Sequence, residues 1–421
     1  MVIGTIIGAS IFVQPSLVSG AVPSVIGVLV VWAVAGALTL IGALITAELS
    51  SAFPYTGGVY VFLRRAYSPL VAYLWGWAMF WSMHSGIIAA IATVFARYLG
   101  HFIQLGDAGT KAAAIGAIVV LSAVNYVGVR YGSGLQAFFT VVKLAAILLI
   151  VVLGVAFAAS HHSPPALVTA PPRTTFGALV EAMIAGLFAY GGWHMVTYAA
   201  EETRDARRTI PKALVLGTLV VTVAYIGVNA SYLAVLPLGR VTSSARVAAD
   251  FADAVLGSGG GHLLSALVIL STLGAMTGII LSGPRVYLAM ARDGLLFRWA
   301  GSVHPRYRTP HVAITAQGVW SSALVLTGTY RALFTRVVYT EWIFFALMAA
   351  SLFFLRRREG YAPAYRVWGY PLLPGIFVLS SATIVLHQVA VQPAESLIGL
   401  ALVAAGVPVY WVWTRNAGTK E

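Results

Sequence analysis

The sequence predicts an all-α integral membrane protein with twelve transmembrane helices, and three observations predict it. Only 9% of the 421 residues are charged, against about 25% in an ordinary soluble domain. Apolar runs of roughly 18 to 25 residues, the length that crosses a bilayer, recur along the whole chain. Lys and Arg, finally, fall mostly on alternate connections between those runs.

The runs are 1–20, 24–53, 71–99, 112–128, 135–158, 176–200, 211–235, 262–291, 311–329, 333–355, 372–390 and 396–413. Short polar or Pro-containing breaks separate them. No soluble domain is long enough to consider. The longest polar-leaning connections are 159–175, with Pro164, Pro165, Pro171 and Pro172, and 236–261, with Gly259, Gly260 and Gly261. With both termini in the cytoplasm, eighteen of the 26 Lys and Arg lie on the cytoplasmic side and seven on the other, while Lys143 falls inside a span. The net charge of +13 is therefore a topology signal, not a nucleic-acid surface. The absence of cysteine excludes disulfides, thiolate metal sites and a thiol nucleophile. No metal site or cofactor is expected. No cleavable signal peptide is visible.

Two spans carry their own breaking points. The first reads "GTIIGASIFVQPS", with Gly4, Gly8 and Pro15; the sixth reads "LFAYGGWHMVTYAAEET", with Gly191–Gly192 near its middle. Glycine also serves close helix packing, so each alone has a structural reading. Together they occupy corresponding places if spans 1–5 and 6–10 are two repeats, and paired interrupted helices point to a transporter binding site. Unwound backbone frees N–H and C=O groups that a polar ligand satisfies. Half-helix N-termini favour anions and exposed carbonyls favour cations, a combination that suits a zwitterion such as an amino acid.

Longer stretches carry a resemblance. They are "GTIIGASIFVQP", "AELSSAFPYTGGVYVFLRRAYSPLVAYLWGW", "LFAYGGWHMVTYAAEETRDARRTIPKAL", "GAMTGIILSGPRVYLAMARDGLLF" and "YRVWGYPLLP", in order along nearly the whole chain. The chain resembles the amino acid–polyamine–organocation superfamily of transporters, and within it the L-type amino acid transporters and their bacterial relatives. The resemblance implies a LeuT-like 5+5 inverted repeat, 1–158 and 176–355, with helices 1 and 6 broken near 8–12 and 189–193. Two further helices follow at 372–413. It implies a multi-pass protein of the cell (inner) membrane that moves L-amino acids by alternating access without sodium, as an exchanger or a proton-coupled permease. A cationic amino acid or polyamine is the alternative cargo; a channel or membrane enzyme is remote.

The resemblance also implies site residues. Backbone N–H groups of Ala9 and Ser10, in the break from Gly8 to Ile11, would hold the substrate α-carboxylate. Carbonyls of Ile6, Phe188 and Gly191, beside Gly192, would take the α-amino group, and the Phe188 ring would close over substrate. Relatives usually read Gly-Ser-Gly-Ile-Phe where this chain reads Gly8-Ala9-Ser10-Ile11-Phe12, so a change in pocket volume or in unwinding is expected. Relatives in animals bind a glycoprotein through a loop cysteine. Without cysteine, a disulfide-linked accessory subunit is impossible, and the implied partners are the substrate and the bilayer.

The interior charges complete the reading. Lys143 lies mid-span, too deep to snorkel, and matches a lysine that occupies the place of a sodium ion in sodium-independent relatives. His84 and His194 are candidates for pocket tuning, with hydrogen-bonded packing as the other reading of His84. Glu201 and Glu202 are candidates for an inner closure paired with Arg. Glu48 is expected in an interfacial or Arg-paired role, Glu341 as gate or packing, and Arg285, Arg292 and Asp293 as one ion-pair cluster. The stretches assigned to the pocket, 4–12, 80–90 and 186–195, contain no Asp or Glu, so a neutral substrate side chain is expected. The break at Gly8 leaves seven residues for the first half-helix, about 10 Å, shorter than relatives have, so a late-assigned start or a trimmed N-terminus is expected.

Overall fold

The computed structural model describes residues 1–160, 174–327 and 330–417, and among them every regular element is helical. The expected loop prolines Pro164, Pro165, Pro171 and Pro172 lie outside the described residues, as do His161 and His162 beside them in the sequence. In chain order the helices are α1 Val2–Ile6, α2 Gln14–Ala21, α3 Val25–Ala52, α4 Val59–Ala66, α5 Pro69–Ala78, α6 His84–Leu99, α7 Asp107–Val127, α8 Val129–Ser160 and α9 Phe176–Ala189. They continue as α10 Ala206–Val235, α11 Leu238–Ser243, α12 Val247–Leu256, α13 Gly260–Arg292, α14 His311–Thr327, α15 Tyr330–Leu355, α16 Leu372–Val391, α17 Pro393–Ala404 and α18 Gly406–Ala417. Ten stretches among the described residues are long and apolar enough to cross a membrane. The segment 2–21 is interrupted, and α14 with 17 residues is shorter than those ten.

Local chemistry explains several boundaries. Ser24 caps α3 by accepting from the Gly27 N–H at 3.3 Å, and Thr175 caps α9 by accepting from Ala178 at 3.2 Å. Pro69 opens α5 behind the Ser68 cap, where a missing N–H costs nothing. Between α5 and α6 the backbone widens into a π-helical turn at Met79–Met83. The Ser85 hydroxyl donates to the Phe80 carbonyl at 2.7 Å across that turn, satisfying an acceptor the irregularity would strand.

Two elements differ from expectation. The connection 236–261 contains α11 and α12, whose apolar faces bury Val241, Val247, Phe251 and Ala252. Six- and ten-residue helices are too short to stand out as apolar runs. The cluster expected of Arg285, Arg292 and Asp293 is divided: Asp293 pairs with Arg64 at 2.6 Å and accepts from the Tyr60 hydroxyl at 2.7 Å. Arg285 and Arg292 instead face Glu202 and Glu201. Burial first, and then the Asp293 carboxylate, push the Tyr60 phenol above its ordinary pKa, which keeps it protonated as the donor.

Candidate functional site

Both interrupted segments face one another across the middle of the bundle. After α1 the chain leaves helical geometry at Ile7 (φ −69°, ψ 94°), forms a single 3-10 turn at Ser10–Phe12, and resumes as α2. After α9 it turns through Tyr190–Gly192, with Gly192 in the left-handed region at φ +94°, and continues as a 3-10 run, Trp193–Glu202.

Gly192 is fixed by two demands at once. Its φ disfavours any L side chain, and a Cβ there would stand 2.8 Å from the Thr5 carbonyl oxygen of the first break. Gly8 differs: a Cβ there would meet nothing closer than 3.8 Å, an ordinary contact, and it faces a cavity. Gly192→Ala is therefore expected to disturb the fold itself and lower the yield of monodisperse protein. Gly8→Ala should leave the fold intact while weakening ligand binding by about tenfold, the penalty of one intruding methyl. Size-exclusion chromatography with a binding titration separates the two; equal behaviour of the variants would contradict this assignment.

Three side chains hold the unwound backbone. Lys143, 1% exposed on α8, donates from Nζ to the Gly4 carbonyl at 2.9 Å and the Ile7 carbonyl at 2.6 Å. The Tyr225 hydroxyl on α10 lies 3.1 Å from both the Ile6 and Ala189 carbonyls, so one buried phenol bridges the two breaks. Tyr98 on α6 donates to the Phe12 carbonyl at 3.0 Å. Each serves carbonyls that interrupted helices leave without intrahelical donors. Among the described residues, the N–H groups of Ala9, Ser10 and Ile11 have no backbone or side-chain acceptor. Of the expected amino-group carbonyls, Ile6 already accepts from Tyr225 and Phe188 from the Gly191 N–H at 3.1 Å. Each retains a second lone pair.

These groups border a cavity of about 30 Å³. Of the residues expected at the site, Ile6, Gly8, Ser10, Phe188, Gly191 and Gly192 line it. Ala9 and Ile11 are buried beside it without lining it. Lys143 lies behind the first break, on its carbonyls. His84 and His194 are fully buried but do not line the cavity; both rings pack on Tyr198, and His194 also contacts Trp75, Trp193 and Phe345. The apolar wall includes Ile87, Ile91, Ile279, Val338, Trp342 and Phe345.

Six lining residues lie outside the three stretches assigned from sequence, Ile91, Ile279, Val338, Glu341, Trp342 and Phe345, and one of them is an acid. Glu341 on α15 is 5% exposed, borders the cavity, and has no hydrogen-bond partner for Oε1. Its presence removes the ground for expecting a neutral substrate side chain. The sequence offered Glu341 only as gate or packing, because α15 reaches the site through packing. The signal available was the lone acid in the apolar run "VVYTEWIFF".

At one end of the bundle the segment after the second break is tied by ion pairs. Arg285 on α13 engages Glu202 with both arms, Nε–Oε1 at 2.7 Å and Nη2–Oε2 at 2.9 Å, while its Nη1 bonds the Leu281 carbonyl. Glu201 and Arg292 stand 4.0 Å apart, both half-exposed, and contribute little. Glu48 is enclosed: it accepts from Arg356 Nε at 2.9 Å, the Val367 N–H at 2.6 Å and the Tyr361 hydroxyl at 3.3 Å.

Comparison with known proteins follows the same lines. A family model described as amino acid permease matches residues 1–412. The chain is 33% identical over 420 residues to the serine/threonine exchanger SteT of Bacillus subtilis, covering 98% of this chain and 94% of that protein. It is 30% identical over 423 residues to the human b(0,+)-type amino acid transporter 1, covering 99% and 86%. It is 28% identical over 425 residues to the human cystine/glutamate transporter, covering 99% and 84%.

Proposed function

The chain belongs to the amino acid permease family, and on that premise we propose that it is a multi-pass secondary transporter exchanging L-amino acids across the cell membrane without sodium. The observation that carries the reading is the pair of unwound segments meeting at one cavity, with the N–H groups of Ala9 and Ser10 unengaged beside it. Those donors suit a carboxylate; the carbonyls of Ile6, Phe188 and Gly191 suit an ammonium. A relative named as a serine/threonine exchanger favours exchange over proton symport.

The sodium-free part rests on Lys143. Its ammonium fills the space between the Gly4 and Ile7 carbonyls, the kind of oxygen-lined position a monovalent cation would otherwise take. The wider topology belongs to the same proposal. It comprises twelve spans, an inverted repeat of 1–158 and 176–355 followed by 372–413, and both termini in the cytoplasm by the Lys and Arg bias. On this reading the Glu202–Arg285 tie is part of the inner closure, with Glu201 beside it, and Phe188 closes the outer face.

At about 30 Å³ the cavity is narrow, enclosed by Phe188, Trp342 and Phe345. On this reading substrate entry separates these walls, as alternating access demands. The test is uptake of a radiolabelled amino acid mixture into proteoliposomes, with unlabelled amino acids inside or absent, and with sodium or choline as the salt. Saturable uptake stimulated by internal amino acid and indifferent to the cation is expected. Conductance without saturation would reject a carrier, and uptake unaffected by internal amino acid would reject exchange.

A further inference from the structure

We propose that Glu341 accepts a hydrogen bond from the substrate's side chain, so that the site selects amino acids whose side chains end in a hydroxyl or ammonium group over those ending in hydrocarbon. The inference rests on the substrate site proposed above and adds the chemistry of its side-chain end.

The lining of the cavity divides into two chemistries. Backbone at Gly8, Ser10, Gly191 and Gly192 supplies groups that every amino acid head can use, and these cannot discriminate among side chains. The remainder is Thr5, whose hydroxyl is engaged with the Val2 carbonyl of its own helix at 2.9 Å, and an apolar wall that includes Ile87, Ile91, Trp342 and Phe345, interrupted by one carboxylate. A wall of this kind serves a hydrocarbon side chain without any acid. An unpaired carboxylate oxygen in such surroundings carries a desolvation penalty that only a donor or a cation relieves.

Among the described residues, Oε1 of Glu341 has no such partner. Of the buried cations, Lys143 is engaged with the Gly4 and Ile7 carbonyls and Arg285 with Glu202, and among the described residues Glu341 has no ion-pair partner. The contrast with Glu48 is direct. That carboxylate, equally enclosed, is saturated by Arg356, Val367 and Tyr361, as a structural acid should be. Glu341 is held open toward the cavity instead. Tyr198 interacts electrostatically with Glu341, with His84 and His194 packed on its ring, and none of the three lines the cavity.

The experiment uses the full chain in proteoliposomes and matched substrate pairs that differ only at the side-chain end: threonine against valine, and lysine against norleucine. Each is scored as a ratio of inhibition constants against uptake of a labelled amino acid mixture. Wild type should prefer the donor-bearing member of at least one pair by about tenfold or more. In Glu341→Leu that ratio should fall to within about threefold of unity. Glu341→Met, of similar length, replaces it if the leucine variant is not monodisperse. Glu341→Gln separates the two donors: its carbonyl still accepts from a hydroxyl, so a threonine preference survives, but it cannot balance an ammonium, so a lysine preference is lost. A wild-type ratio near unity for both pairs, or a ratio undiminished in the apolar variants, overturns the proposal. The same holds if the variants lose only the pH dependence of uptake, which would make Glu341 a proton carrier. Absence of saturable exchange of any amino acid by wild type would instead refute the transport reading itself.

Discussion

Lys143→Ala is expected to reduce amino acid exchange by on the order of 100-fold while leaving the protein folded. The ammonium makes two short hydrogen bonds to the unwound backbone, at 2.9 and 2.6 Å. Charge-assisted bonds of this kind are worth about 1.5–3 kcal/mol each, and about 2.7 kcal/mol corresponds to 100-fold in an equilibrium. The loss falls on the break because the carbonyls of Gly4 and Ile7 lose their donor and the segment carrying Gly8 and Ser10 loses its fixed conformation. The fold survives because Tyr225 still bridges Ile6 and Ala189, and Tyr98 still holds Phe12. Lys143→Arg tests whether charge alone suffices. A planar guanidinium is larger and differently shaped, so it should restore little. Exchange within about threefold of wild type in Lys143→Ala would show that Tyr225 and Tyr98 alone hold the break.

The second large effect is on stability. Glu48→Gln, or Arg356→Ala, should destabilise the folded protein by about 3–5 kcal/mol, because each leaves the other partner buried without its counter-charge. Glu48 is fully enclosed, and the Arg356 side chain is 16% exposed with its guanidinium 4.0 Å from the Tyr370 ring centroid. The pair joins α3 to the segment after α15, so its loss loosens helices packed from distant parts of the chain. Glu48→Leu combined with Arg356→Met should recover much of the loss, since apolar isosteres avoid the desolvation penalty. Unfolding in mixed detergent micelles measures both. Single variants within about 0.5 kcal/mol of wild type would mean that Val367 and Tyr361 alone satisfy the carboxylate.

Much of this molecule was legible in the chain. Span positions followed from apolar length, which the bilayer imposes on each segment by itself. Both interruptions followed from glycine, because residues such as Gly192, at φ +94°, announce backbone that other residues resist. Lys143 was conspicuous because a charge deep in an apolar run is costly enough to need a reason. What was missed has a common cause. α11 and α12 are short, and short helices acquire their stability from packing, not from a periodic signal. His84 and His194 were expected near the cavity but lie a layer behind it, since rotation about a helix axis is set by neighbours.

The sequence by itself determined the helical membrane class, the two places where helices break and the interior lysine, because each is written in one segment's own composition. The tertiary structure alone decided which groups converge. It set Tyr225 between Ile6 and Ala189, gave Asp293 to Arg64 and Glu48 to Arg356, and brought Glu341 to the wall of the cavity. Such meetings join residues from tens to several hundred positions apart, and they depend on how helices turn and pack against each other. A buried polar group is placed by the partner it finds, and that partner is seldom a neighbour in the chain.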